Sequence, residues 1–147
     1  AARMAELIRQ LQSQGRQIVL TAAPDEKERE LIGNIKAQLA QPLVDLSGQL
    51  TLKELAALTG QAQLFIGMDS VPMHIAAAMQ TPTLALFGPS GDIEWGPWQV
   101  PHRIVTSNHP CRPCGKDGCG GSKRSECLDL IPVQQVLAAM QALEAEL

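Results

Sequence analysis

The chain has 147 residues, 12 Lys and Arg against 15 Asp and Glu, a formal net charge of −3 and 45% hydrophobic residues. That length suits one domain with a real core, and the slight acidity leaves none of the basic footprint that a nucleic-acid duplex requires. No apolar run approaches the roughly 20 residues that span a bilayer, and the start Ala1-Ala2-Arg3-Met4-Ala5-Glu6 is amphipathic rather than signal-like, so a cytoplasmic protein with no transmembrane segment is expected.

Met4, Leu7, Ile8 and Leu11 recur at helical spacing, and Gly15 ends that helix before a short strand, Gln17-Ile18-Val19-Leu20. A second helix is predicted from Pro24 to about Leu39, a strand over 43–46, and a third helix over 51–60. Strand 63–66, helix 71–79 and strand 83–87 complete three βα-type repeats, with no sequence repeat or low-complexity tract between them. Strands alternating with helices imply an α/β fold, Rossmann-like, with a parallel sheet covered by helices on both faces. After a Gly- and charge-rich stretch, Ile131-Pro132 opens a final helix whose Val133, Val136, Leu137, Met140 and Leu143 form an apolar stripe for the core.

The most informative segment is Gly67-Met68-Asp69-Ser70-Val71-Pro72-Met73-His74, which runs straight off Leu64-Phe65-Ile66. An acid at the end of a strand, then a Ser suited to helix capping and a Pro in the first turn, leaves backbone N–H groups facing outward. Open α/β sheets bind ligands at such strand ends, beside helix N-termini that favour phosphate. On the plainer reading Asp69 and Ser70 only cap the helix and His74 is an ordinary first-turn residue. Gly88-Pro89-Ser90-Gly91 ends the next strand, where backbone can also approach phosphate, although turn chemistry alone explains these residues equally well. Trp95-Gly96-Pro97-Trp98 is a rigid aromatic loop that could form a lid or a lobe contact; packing over the sheet edge is the expectation.

Cys111, Cys114, Cys119 and Cys127 cluster beside Pro110, Pro113, Lys116, Lys123 and Arg124. Cys111-x-x-Cys114 has the spacing of a zinc-ligand pair, but Cys119 and Cys127 do not make the second pair of a typical ribbon. Reduced loop cysteines are expected, so no metal is assigned, with zinc or a redox pair as the alternatives.

Read together, Thr51-Leu52-Lys53-Glu54-Leu55-Ala56-Ala57-Leu58, Ala62-Gln63-Leu64-Phe65-Ile66-Gly67, Asp69-Ser70-x-Pro72-x-His74-x-Ala76-Ala77-Ala78 and Pro82-Thr83-Leu84-Ala85-Leu86-Phe87-Gly88-Pro89-Ser90 carry a resemblance. The chain resembles the heptosyltransferases of glycosyltransferase family 9, the ADP-heptose-using enzymes of lipopolysaccharide core assembly, and among them looks most like the second and third core enzymes. The resemblance implies the carboxyl-terminal, donor-binding lobe of a two-lobed GT-B glycosyltransferase over residues 1–147. It implies donor contacts from Asp69, Ser70, the backbone at Val71 and His74, which match the segment that grips heptose and diphosphate. Many members carry Gly where Val71 stands. By the same resemblance Glu26 matches an acid that takes ribose hydroxyls, and Leu50 and Thr51 match the loop that seats adenine. The plainer readings are a first-turn Glu favouring the helix dipole and a core Leu. Similar cysteines recur in the family outside its donor chemistry.

A family member would also have an amino-terminal lobe that binds the acceptor and supplies the catalytic Asp, and one more strand ahead of the first helix. Neither is found here, so the chain reads as a fragment with no catalytic residue of its own. Its implied function is to bind ADP-heptose in an inverting transferase, peripheral to the inner membrane when intact, with the lipopolysaccharide core as acceptor and no metal or cofactor. Another GT-B-type enzyme, a UDP-sugar transferase or epimerase, and a non-enzymatic zinc-bearing interaction module remain the alternatives.

Overall fold

Two separate sets of apolar stripes find partners within their own stretch of chain, and the computed structural model, which describes residues 1–147, divides accordingly into units Ala1–Leu52 and Lys53–Leu147. In the first unit, α1 (Ala2–Ser13) buries Ala5, Leu7, Ile8 and Leu11. It stops where foreseen. Gly15 takes the left-handed φ of +77°, and the N–H groups of Gly15 and Arg16 close onto the carbonyls of Gln12 and Leu11. Strand β1 (Val19–Leu20) follows, then α2 (Glu26–Lys36) and β2 (Val44–Asp45). Ala5 and Ile8 of α1 meet Ile32 and Ile35 of α2, with Ile18, Leu20, Leu39 and Leu43 packed around them.

Strands β1 and β2 pair in parallel, Val19 opposite Val44. The regular part is short, but backbone bonds extend the ladder at both ends, from Val44 N–H to Ile18 C=O through Gly48 N–H to Ala22 C=O. Lys36 Nζ donates to Asp45 Oδ2 at 2.7 Å, and Asp45 also accepts the Ser47 N–H at 3.0 Å. The hydrogen bonds from Lys36 and Ser47 bring the Asp45 carboxyl down to about 2.

All but the first residue of α3 (Leu52–Thr59) lies in the second unit, which continues with β3 (Phe65–Met68), α4 (Val71–Ala78), β4 (Thr83–Leu86), α5 (Asp92–Trp95) and β5 (His102–Val105). A 3-10 turn (Cys119–Gly121), α6 (Glu126–Asp129) and α7 (Val133–Glu144) complete it. The sheet order is β3-β4-β5, all parallel, and every residue of β4 is buried. Alternation along β4 separates two faces. Ala85 and Phe87 cluster with Phe65, Ile104 and Met73 of α4, so α4 covers that face. Leu84 and Leu86 point the other way, as does Arg103, which opposes Leu84 and pairs with Glu146 just past α7. The apolar stripe of α7, all five residues buried, therefore closes the second face, as expected of a parallel sheet.

Three features differ from the sequence reading. β3 lies two residues later than predicted and takes in Gly67 and Met68. Gly67 belongs there because a Cβ would fall 2.6 Å from the ring of Phe65, which folds over it into the Met73–Phe87 cluster. β5 was not predicted, since Pro101, His102 and Arg103 disguise it; the register shows Arg103 occupying a face position and reaching beyond the sheet to Glu146. The stretch between β5 and α7, read as loop, carries the 3-10 turn and α6.

Candidate functional site

The carboxyl ends of the three strands of the second unit stand in register, Met68 beside Leu86 beside Val105. The ladder runs one step further: Asp69 N–H donates to Leu86 C=O at 3.3 Å, and Phe87 N–H to Val105 C=O at 3.0 Å. Asp69 is thus fixed at the tip of β3 by its own backbone. Its carboxylate, 21% exposed, stands 3.9 Å from Nε2 of His74, one turn into α4. Ser70 is the N-cap residue, yet its side chain makes no cap bond; its hydroxyl donates to Met68 C=O instead, at 3.2 Å. So neither side chain is spent as a cap, which removes the plainer account of this pair.

The open amides are fewer than the sequence suggested. Pro72 has none, and the N–H groups of Met73 and His74 both turn to Ser70 C=O. That leaves the Val71 N–H in the first turn of α4, beneath a side chain that is 59% exposed. An anion arriving here meets one free amide at a helix N-terminus and the His74 ring, gains the Ser70 proton when that hydroxyl turns from Met68 C=O, and has Asp69 alongside to accept hydroxyl protons.

At the tip of β4 the loop is held from above. Arg112 Nε donates to Gly88 C=O at 2.6 Å and Nη2 to Asp92 Oδ1 at 3.3 Å, from a side chain only 10% exposed. Pro89 C=O accepts both the Cys114 N–H and the Gly115 N–H, at 3.0 and 2.8 Å. Leu128 covers Gly88 so closely that no side chain fits there. The carbonyls of this loop therefore face the cysteine-bearing segment, and Ser90, partly buried, follows on the far side of Pro89. The guanidinium of Arg112 was overlooked in sequence because it sits inside the Cys-x-x-Cys, where only the thiols attract notice.

All four cysteines are free thiols; Cys111 is exposed, Cys114 and Cys119 are partly buried and Cys127 is buried. Desolvation, the hydrogen bond with Cys114, and the nearby Cys114, Cys119 and Cys127 thiols push the Cys111 thiol above its ordinary range. His109, also unremarked in sequence, has Nδ1 3.0 Å from Cys111 Sγ and Nε2 3.5 Å from Glu126 Oε2. It also borders a hollow of about 340 Å³ at the end of β5, with Ser107, Asn108, Leu130, Pro132 and Gln135.

In the first unit, Glu26 is the opening residue of α2 and is exposed. The capping is done by its neighbours: Asp25 accepts the Glu28 N–H at 2.9 Å, and Glu28 accepts the Ala23 N–H at 2.7 Å. Glu26 lines an open hollow with Pro24, Arg29 and Glu30. Leu50 is partly buried and Thr51, just before α3, is exposed.

The tryptophans do not pack over a sheet edge as expected. Trp95 and Trp98 are 58% and 74% exposed, while the residues between them dock: Pro97 is buried, and a Cβ on Gly96 would meet Ile104 at 3.3 Å. The turn made by Gly and Pro is the contact, and it carries the indoles outward.

Residues 1–123 match the family described as glycosyltransferase family 9 (heptosyltransferase). Lipopolysaccharide heptosyltransferase 3 of Escherichia coli is 44% identical over 99 residues, 66% of this chain and 29% of that protein. A lipopolysaccharide heptosyltransferase 3 from E. coli K12 is 33% identical over 98% of this chain and 42% of its own length. Among solved structures, a glycosyl transferase family 9 protein from Veillonella parvula superposes with a TM-score of 0.81 at 25% identity, over 99% of this chain and 41% of that one. E. coli ADP-heptose lipopolysaccharide heptosyltransferase II gives 0.78 at 28% identity, over 98% and 41%. The chain spans less than half the length of each of these relatives. Because the family match takes in every strand of both parallel ladders and ends only within the cysteine-bearing stretch, the chain belongs to glycosyltransferase family 9.

Proposed function

We propose that this chain is the donor-binding domain of an inverting heptosyltransferase that moves heptose from ADP-heptose to the lipopolysaccharide inner core. The observation that carries the proposal is Asp69, fixed at the tip of β3 with its carboxylate uncommitted to capping, beside an open Val71 amide and His74. In this reading Asp69 orders the heptose hydroxyls, and Val71 N–H, His74 and Ser70, its hydroxyl turned from Met68 C=O, meet the diphosphate. At the next strand tip Ser90 supplies a hydroxyl contact, and Gly88, its carbonyl already held by Arg112, has only its N–H to offer. Glu26 takes ribose hydroxyls, while Leu50 and Thr51 border adenine.

The chemistry then asks for little from these residues beyond orientation and charge. An acceptor hydroxyl attacks the anomeric carbon from the face opposite the diphosphate, the bond to ADP breaks, and fixed dipoles stabilise the leaving charge. No Asp-x-Asp pair occurs in the sequence to bring a divalent ion to the diphosphate, so metal-independent transfer is proposed. The acceptor site and the base that deprotonates its hydroxyl are assigned to the part of the relatives that this chain does not span. No helix is long and apolar enough to cross a membrane, in keeping with a peripheral attachment of the intact enzyme.

Calorimetry of the chain with ADP, ADP-heptose and UDP tests the proposal. Binding of ADP and ADP-heptose without sugar release, and weaker binding of UDP, is the expected outcome. No heat from ADP at millimolar concentration overturns it, and a preference for UDP favours a UDP-sugar enzyme of the same architecture.

A further inference from the structure

From residue 108 to residue 126 the chain buries only Gly118, yet it holds a defined path. Nineteen residues without a buried apolar side chain cannot repay their ordering entropy by packing, and such segments are ordinarily stapled by a crosslink or an ion. The backbone reversals behind the sulfurs of this stretch suit the second. Cys111-Arg112-Pro113-Cys114 is followed by Gly115 at φ +66°, which turns the chain back after the second thiol. Cys119 is followed by Gly120 and Gly121 at φ +58° and +78°, a second reversal behind a sulfur. Between them Gly118 lies so near Lys123 that a Cβ would fall 2.4 Å from the Lys123 Cα, and Cys119 N–H donates to Arg124 C=O at 2.8 Å, so this loop closes on itself. Cys127, 1% exposed, anchors the far end, with its carbonyl accepting the Ser107 hydroxyl at 2.7 Å.

We propose that Cys111, Cys114, Cys119 and Cys127 form a tetrathiolate site for Zn²⁺, with His109 as the outer partner of the Cys111 sulfur, and that the bound ion fastens the loop at the tip of β4. Zinc takes four thiolates tetrahedrally. No three donors of the chain are gathered at ion-bonding distances, and the glycines behind Cys114 and Cys119 supply the slack that lets the ion draw the sulfurs together. Each thiol releases its proton to solvent as its S–Zn bond forms, and the cation replaces the mutual repulsion of neighbouring thiolates with attraction. His109 stands between Cys111 and Glu126, the arrangement in which a ring N–H supports a ligand while a carboxylate orients the ring. The link to β4 is direct: Cys114, Gly115 and Arg112 all bond to Gly88 or Pro89, and Leu128, next to Cys127, covers Gly88. This site is independent of the donor reading, since zinc content can be measured whether or not ADP binds.

The test is elemental analysis of the whole chain purified under reducing conditions, followed by chelation and Co²⁺ titration with visible spectroscopy. One zinc per chain and the intense bands of tetrahedral Co²⁺–thiolate are expected. Cys111→Ser, at an exposed position that leaves the core intact, should abolish stoichiometric zinc, and His109→Ala should weaken it about tenfold. Amide exchange at Cys114 and Gly115 should quicken on zinc removal. A metal-free protein whose four thiols all react freely, a Cys111–Cys114 disulfide under the same reducing conditions, or iron in place of zinc overturns the site. Zinc that binds without changing exchange at Cys114 and Gly115 overturns the fastening role.

Discussion

Replacing Gly88 by Ala puts a methyl 2.5 Å from Leu128 Cγ, 2.8 Å from Cδ1 and 3.2 Å from Cδ2. Carbon atoms rest about 3.5–4.0 Å apart, so Leu128 or the β4 loop must yield by roughly 1 Å. Cγ sits too near the backbone for a simple rotamer change to absorb this, and overpacking of this kind costs about 1–3 kcal/mol. Leu128→Ala alone removes a partly buried side chain and should cost about 1–2 kcal/mol, below the range for fully buried leucines. The double variant has room for the new methyl. It should therefore be destabilised by no more than Leu128→Ala alone, which makes the two changes non-additive by about 1–3 kcal/mol, roughly five- to 150-fold in the unfolding constant. Urea unfolding followed by far-UV circular dichroism measures all four proteins; the midpoint should move with little change in slope. Costs that add to within about 0.5 kcal/mol would refute the steric account and, with it, the claim that α6 seals the end of β4.

Arg112→Ala leaves the Gly88 carbonyl and the Asp92 carboxylate without their shared donor in a largely buried place, so a loss of about 1–3 kcal/mol is expected in the same unfolding assay. Asp69→Asn keeps the shape of the β3 tip but removes the charge that strengthens bonds from sugar hydroxyls; ADP-heptose affinity should fall about tenfold or more while ADP alone binds as before, read by calorimetry. Asp45 is held at about 2 from an ordinary 3.8, so its pairing with Lys36 and Ser47 stabilises the fold fully above the unfolded value and is lost as pH falls toward 2. Asp45→Asn should flatten the fall in stability across that window, and an unchanged acid limb in the wild-type and variant melting curves would dismiss the ion pair as a contributor.

How much was legible in sequence follows from what each residue had to do. Helices α1, α2, α4 and α7 carry periodic apolar stripes with a local stop or start, such as Gly15 or Pro72, and these were read nearly to their ends. Strands β1 to β4 announced themselves as apolar runs. β5 did not, because the polar His102 and Arg103 break its apolar run, and only Arg103 depends on a partner far along the chain, Glu146, while His102 is met by the nearby Val100 carbonyl. Asp69 was conspicuous because an acid between an apolar strand and a Pro-started helix stands where open α/β sheets bind ligands, and its position at the tip follows from local order alone. Arg112 and His109 were hidden for the opposite reason: their partners, Gly88 and Asp92 for one, Cys111 and Glu126 for the other, meet only once the strands and the irregular stretch after β5 are folded together. Nor could the sequence show that Ser70 declines the cap, since a hydroxyl one residue from a helix has two backbone acceptors or donors within reach and the choice depends on its rotamer.

The outward turn of the Trp95-Gly96-Pro97-Trp98 loop has a practical corollary. The chain has two tryptophans and no tyrosine, so its intrinsic fluorescence originates almost wholly from this one exposed loop. Emission will already be red-shifted in the folded protein and nearly blind to unfolding of the core, whereas anything that settles on the loop will blue-shift it. The protein thereby carries a native optical reporter for whatever surface, molecular or membranous, comes to rest against β5's approach.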